Sequence, residues 1–507
     1  MAQTISLSTD RLSIDEVVRV ARGGARVRVT PKATAAMKKS RAVVERALHD
    51  GQAHYGINTG FGSLSKQRIG AADLATLQRN LIRSHAAGVG EALPRDVVRA
   101  MMLLLAASLS RGHSGVRPMV CETIVAMLNK GVTPVVPSVG SVGASGDLAP
   151  LSAVALVAMG EGRAELGGRR MPGGSALRKA GVKPLVLSAK EGLALINGTH
   201  LMAGWGSLIS HDASTLFRAA VIAAAMSIDA CRGTDEFLDA RLYEARRNQS
   251  AGAVAERMRE LLKGSSILPS HAENDPRVQD PYSLRATPTV LGACWHAMGN
   301  LNTVLEYDEL GAVTDNPLVF PTARGGDIIS GANFHGMPLA IPLDSMAIAL
   351  CHIAGIAERR VYLMTGAFEP ESRLKPFLAP GPGLQSGMMI AQYTAAACVN
   401  EMVGLAAPAS VANVPTSAGM EDYNSFGPRS AAKAARSLDL ARKVVAIEFL
   451  CASQALEEHR PLRSGKGVEA AHKIIRTRVK PLVEDRPLTD DIEAIAAMIE
   501  SGGFGKL

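Results

Sequence analysis

Three segments, residues 343–363, 388–405 and 437–458, each keep an apolar face at helical spacing for roughly five turns or more, and nothing else restricts the fold as strongly. Helices that long need a broad apolar partner, so they must pack on one another. The stretch 206–262 reads the same way. Hydrophobic residues make up 47% of the 507-residue chain while aromatic ones make up only 4%, so the apolar mass is Ala, Leu, Val, Ile and Met, which leans further towards helix. The expectation is a mainly α protein, with a smaller N-terminal region over residues 1–205 and a long-helix bundle region over 206–507.

Several function classes drop out on composition. The formal net charge is +8, but the basic residues are diffuse. Their densest run, 459–480, has no aromatic side chain between its arginines and lysines to stack on bases, so it reads as a solvated helix face and no nucleic-acid partner is expected. The most apolar run, 219–228, falls short of the roughly 20 residues that cross a bilayer, so no membrane partner is expected either. The six cysteines are scattered without a Cys-x-x-Cys, and the first residues carry no basic stretch ahead of an apolar core. Both point to the cytoplasm. The histidines show no metal-ligand spacing, so no metal is expected.

The richest chemistry lies in 140–152, Gly-Ser-Val-Gly-Ala-Ser-Gly-Asp-Leu-Ala-Pro-Leu-Ser. A phosphate cradle needs Lys-Ser/Thr after its glycines, and Asp147 stands there instead, where its carboxylate would repel phosphate. Two readings remain for Ala144-Ser145-Gly146. One is ordinary small-residue loop material. The other is a self-made electrophile: in a tight bend the unhindered Gly146 nitrogen reaches the Ala144 carbonyl carbon and closes a five-membered ring. Loss of two waters then leaves a reactive methylene at Ser145.

Other residues carry the same kind of choice. Tyr55 opens Tyr-Gly-Ile-Asn-Thr-Gly-Phe-Gly, whose glycines let backbone approach a ligand, and it is either a packed aromatic or a group addressing that ligand. A free phenol titrates at about 10, so a Tyr55 base requires nearby cations or helix N-termini. His85, after Ser84 at a helix edge, is structural or a site group. Asn197, followed by Gly198, fits a helix C-cap. If a helix begins at Tyr282, Arg285 shares its face, and the planar fork of an arginine suits a carboxylate. Glu401 sits in an otherwise apolar helix and needs a partner there.

These strings, with Gln279-Asp-Pro-Tyr-Ser-Leu-Arg285, Asp315-Asn-Pro and Gly331-Ala-Asn-Phe334-His-Gly, resemble the motifs of the aromatic amino acid ammonia-lyase and aminomutase family over nearly the whole chain. That family includes histidine, phenylalanine and tyrosine ammonia-lyases. The resemblance implies a fumarase/aspartase-like helical architecture, with the Tyr55 loop and the electrophile loop in the N-terminal region. It also implies a homotetramer whose sites are shared between chains. Ala144, Ser145 and Gly146 would cyclise to 4-methylidene-imidazol-5-one (MIO), and no metal or nucleotide is implied. Tyr55 becomes the base for the β-proton of an aromatic amino acid, Tyr282 a neighbour of the electrophile, and Arg285 the carboxylate anchor. Asn197 and Gln279 become polar contacts, and Phe334 a shield. His85 and Glu401 would hold a ring with two nitrogens, so L-histidine giving urocanate comes first. Phenylalanine or tyrosine as substrate, or an aminomutase outcome, follows; a non-catalytic helical scaffold is the reading from a different class. Tyr423, where histidine enzymes usually carry histidine, and Met337 depart from their pattern.

Overall fold

The computed structural model describes residues 4–273, 275–505 and 507. Eight helices matter here: α1 (Leu74–His85), α2 (Arg95–Ser110), α3 (Leu148–Ala158), α4 (Glu191–Ile196), α5 (His200–Ala230), α6 (Met337–Gly366), α7 (Met389–Ala406) and α8 (Gly427–Ala455). The three long segments that dominate the sequence are α6, α7 and α8, and the chain is mainly α. Two compact units are present, each built from three stretches. One comprises Met1–His211, Leu301–Leu343 and Pro408–Ala432, the other Asp212–Asn300, Asp344–Ala407 and Lys433–Leu507.

The first unit holds the nine short strands found among the described residues: β1 (Ile5–Leu7), β2 (Val27–Val29), β3 (Val89–Ala92), β4 (Thr133–Pro134), β5 (Pro137–Val139), β6 (Arg163–Leu166), β7 (Arg169–Pro172), β8 (Leu318–Phe320) and β9 (Asp327–Ile329). β1 pairs with β2 in parallel, while β3–β5, β4–β6–β7 and β8–β9 are antiparallel. Strands this short tie loops together and form no sheet core. One tie positions the site. α1 ends at His85, the chain turns into β3, and β3 pairs with β5 in the register Val89↔Val139, after which β5 leads straight into the loop at 140–147. The end of α1 is thereby drawn alongside that loop.

α1, α3 and α4 pack on one another and bury Leu81, Ile82, Leu151, Val154, Leu195 and Ile196. Burying an apolar side chain of this size stabilises by about 1.5–3 kcal/mol. α4 follows Lys190, whose φ of 73° is left-handed and whose side chain does not cap the helix. The amides of its buried first turn, which have no partner within the helix, find one in α1: Gly192 N and Leu193 N donate to Gln78 Oε1 at 2.8 and 3.3 Å.

In the second unit, buried charge is paired, as it must be away from water. Arg360 and Glu448 are both fully buried; Arg360 Nη2 donates to Glu448 Oε2 at 3.0 Å, and Ser227 Oγ donates to Glu448 Oε1 at 2.7 Å. α5 and α6 are long and apolar enough to cross a membrane by length and composition, and 83% and 61% of their apolar windows are buried. The run 219–228 is therefore only part of a 31-residue helix.

Candidate active site

The loop at 140–147 is fastened at both ends by backbone. Gly143 has a φ of +71°, and a Cβ there would run into the Ser425 hydroxyl, which donates to Gly143 O at 3.0 Å. Gly336 N donates to the same carbonyl at 3.1 Å, and Phe426 N to Val142 O at 2.8 Å. At the other end Asp147 N donates to Gly198 O at 2.8 Å, and Gly146 has a φ of +70° with no room for a Cβ against the Gly198 carbonyl. Glycine is required at both positions.

Asp147 couples this loop to two helices. Its carbonyl accepts from Leu151 N at 3.0 Å in the first turn of α3. Its Oδ2 accepts from Leu201 N and Met202 N at 2.9 and 3.2 Å, satisfying orphan amides at the start of α5. Burial pushes the Asp147 carboxyl up to about 7, against the lowering effect of those amides and Ser141, with the charge of Glu309 adding to the rise. Burial likewise pushes Glu309 up to about 7, opposed by the hydrogen bond from Thr199.

Within the triad, Ala144 is buried, and Ser145 O accepts from Asn197 Nδ2 at 2.8 Å. Asn197 is also the C-cap residue of α4, as its sequence context expects. Ser145 Oγ donates to Glu421 Oε1 at 2.6 Å. The Gly146 N–H has no acceptor among the described residues. An unengaged Gly146 amide is free for the attack that closes the ring, and a held Ser145 with its hydroxyl on a carboxylate suits the dehydration that follows, so the residues present fit an MIO precursor.

A cavity of about 970 Å³ opens over the triad, lined by Tyr55, His85, Ser145, Asn197, Phe334 and Glu421 among others. His85 Nδ1 lies 2.9 Å from Leu81 O, a pure acceptor, so that nitrogen carries the proton of the neutral ring and Nε2 is left as an acceptor. Tyr55 Oη accepts from Gly62 N at 3.3 Å. Its phenol is pushed above its ordinary value, by burial first and also by the charge of Glu421, with the Gly62 amide opposing. This is opposite in direction to what a neutral-pH base requires, because no Lys or Arg lines the cavity among the described residues. His335 accepts from Met337 N through Nδ1 at 3.3 Å, so its Nε2–H donates to Tyr423 O at 3.1 Å; the ring braces two loops.

Four residues expected in the site are not brought to this cavity within one chain. Gln279, Tyr282 and Arg285 belong to the second unit. Tyr282 is 72% exposed, Gln279 is exposed, and the Arg285 guanidinium stacks 4.4 Å over the Tyr282 ring while its Nε donates to Asp280 O at 2.9 Å. The two do share a face, on the short helix Tyr282–Arg285. Glu401, on α7, finds its partner in Arg436, whose Nε donates to its Oε1 at 2.7 Å, with both side chains about half exposed to solvent. Its helix is apolar but not buried on that side within the chain, so the pairing demand is met at the surface.

The carboxylate that does reach Ser145 is Glu421, two residues before the divergent Tyr423 and not among the residues the sequence singles out. A usable signal was present: Glu421-Asp422 is an acidic pair directly after a Gly-bearing turn, and both residues line the cavity. A buried pair behind the wall was also missed. Lys190 Nζ donates to Asp315 Oδ2 at 2.6 Å, and Asp315 Oδ1 accepts from Asn316 N at 2.6 Å, which fixes Asn316 at the cavity edge.

Comparison with known proteins gives the family. A sequence model of the family described as aromatic amino acid lyase matches residues 12–477. The chain is 48% identical over 510 residues to a histidine ammonia-lyase of Anaeromyxobacter sp. strain K, covering 99% of each. Among solved structures, it is similar to the histidine ammonia-lyase from Trypanosoma cruzi, with a TM-score of 0.91, 37% identity, and 99% of this chain and 94% of that one covered. It is also similar to a tyrosine aminomutase from Streptomyces globisporus, with a TM-score of 0.90, 36% identity, and coverage of 99% and 98%.

Proposed function

The chain belongs to the aromatic amino acid lyase family, and from that premise we propose that it eliminates ammonia from L-histidine to give urocanate, using MIO formed from Ala144, Ser145 and Gly146. The observation that carries this reading is the convergence of His85 Nε2, Glu421, Tyr55 and Ser145 on one cavity. The group that Ala144, Ser145 and Gly146 would form there would supply an electrophilic methylene, the chemistry that makes ammonia a viable leaving group. Every other contribution comes from side chains. His85 Nε2 accepts from an imidazole N–H, and Glu421 with Asp422 attracts the ammonium. A phenyl ring would leave the imidazole acceptor unpaired, at about 1–3 kcal/mol for each buried polar group left without a partner.

Tyr55 Oη takes the β-proton. Its phenol is pushed above its ordinary value by burial first, so the reading requires a cation beside it, brought with the substrate or by a neighbouring subunit. The substrate carboxylate needs a cation for the same reason. Arg285 answers both requirements if the protein is a homotetramer in which Gln279, Tyr282, Arg285 and Glu401 of one chain enter the cavity of another; the exposure of Tyr282, Gln279 and Glu401 in a single chain supports that assembly. The cytoplasm is the proposed compartment. Tyr423 on the cavity wall favours one second reading, a phenylalanine or tyrosine lyase or an aminomutase, since a phenol replaces an imidazole there.

The deciding assay is ammonia release from L-histidine, L-phenylalanine and L-tyrosine at equal concentration, with product chromatography to detect β-amino acids. Release from histidine alone is expected. Release only from the other two would replace the substrate assignment and leave the electrophile standing.

A further inference from the structure

We propose that Glu421 is the proton donor that allows the Ser145 hydroxyl to leave as the loop matures, an inference that rests on the reading of Ala144-Ser145-Gly146 as an MIO precursor. Ser145 Oγ and Glu421 Oε1 are 2.6 Å apart, within the range for direct proton transfer, and that hydroxyl has no second partner among the described residues. The carboxylate is aimed. Its other oxygen, Oε2, accepts from Thr416 Oγ1 at 3.0 Å. The backbones of Thr416 and Glu421 exchange hydrogen bonds in both directions, at 2.8 and 3.2 Å, closing the turn between them. Inside that turn Ser417 and Ala418 have left-handed φ values of +53° and +52°. Left-handed backbone costs a residue with a Cβ about 1–2 kcal/mol, and it persists where the surroundings fix it. Here it presents Glu421 to Ser145.

A hydroxyl leaves readily only as water. In the resting contact Ser145 donates to Glu421; in the reacting form Oε1 carries a second proton, taken from solvent water, and gives it along the same line to Oγ, which keeps its own. The Cβ–Oγ bond then breaks and water departs. The electron pair of the Cα–H bond becomes the Cα=Cβ bond, and its proton goes to solvent water, which returns one to Glu421. One water forms and nothing is oxidised or reduced. Loss of the hydroxyl also strips Glu421 Oε1 of its partner, so maturation itself frees the carboxylate to face the cavity.

The test is intact mass of the full-length chain, followed over time after synthesis. Wild type is expected to lose two waters. Glu421→Gln keeps the shape and the hydrogen bond but has no carboxyl proton to give. It is expected to accumulate as the species lacking one water, with the second loss slowed on the order of a hundredfold. A structural brace would be served as well by glutamine, so loss of both waters at the wild-type rate overturns the proposal. A folded Glu421→Gln that loses no water also overturns it, because Glu421 would then act on ring closure. A wild-type chain that loses no water instead overturns the MIO reading beneath it. If Glu421→Gln melts far below wild type, Glu421→Asp decides: with its carboxyl withdrawn by one methylene, a slower but complete second loss supports the proposal, and a wild-type rate overturns it.

Discussion

Lys190→Met offers the sharpest test of how the cavity wall is held. The side chains of Lys190 and Asp315 are 0% and 2% exposed, and their Nζ and Oδ2 atoms are 2.6 Å apart. Removing the cation leaves a buried carboxylate without its counter-charge, which destabilises by about 3–5 kcal/mol. A chain of this size does not unfold in one step, so the effect is read as a thermal midpoint and an inactivation half-life. The expected fall in midpoint is on the order of 10 °C. Adding Asp315→Leu removes the orphaned charge. The double variant should recover all but about 1 kcal/mol, the residue being the Asn316 amide that has lost its acceptor. A single variant that melts with the wild type, or a double variant that falls as far as the single, would refute this account.

The remaining expectations concern the loop and its neighbours. Gly146→Ala puts a Cβ against the Gly198 carbonyl and a side chain in left-handed backbone, so intact mass should show no loss of two waters and melting should come earlier. Tyr55→Phe should keep the two-water loss while turnover drops by about 10²–10⁴-fold; near-normal turnover would remove Tyr55 from the role of base. Asp147 and Glu309 hold protons up to about 7 in the folded chain, whereas unfolded carboxyls release them near about 4. Their contribution to stability is therefore full below about 4 and is lost as pH climbs to about 7, so the melting midpoint should be higher at about pH 5.5 than at about pH 8. Asp147→Asn should flatten that slope, and an unchanged slope would assign the dependence elsewhere.

What could be read in the sequence divides along a physical line. Chemistry confined to one short stretch was legible, because the reason for each residue is local: Gly143 and Gly146 both adopt left-handed backbone within the loop, and the ring would close between Ala144 and Gly146, two positions apart. The helices were legible for the same reason, since an apolar face repeats within the element that carries it. Which carboxylate meets Ser145 was not. The resemblance made Glu401 a contact to the substrate ring, not to Ser145, and the partner that a charge on an apolar helix demands is, within the chain, Arg436 on α8, a residue 35 positions away that no periodicity points to. Glu421 gave no such demand, as it sits in a polar turn, and its reach to Ser145 spans 276 positions and depends on two left-handed residues that are not glycines. The proton affinity of Tyr55 follows the same logic. The loop glycines could be seen to admit a ligand, but the sign of the shift depends on the burial of the phenol and on the charge of Glu421, contributed by a distant stretch of the chain. Burial first, and the charge of Glu421 with it, hold the Tyr55 phenol above its ordinary value, and both come from parts of the chain that the loop's own residues do not announce.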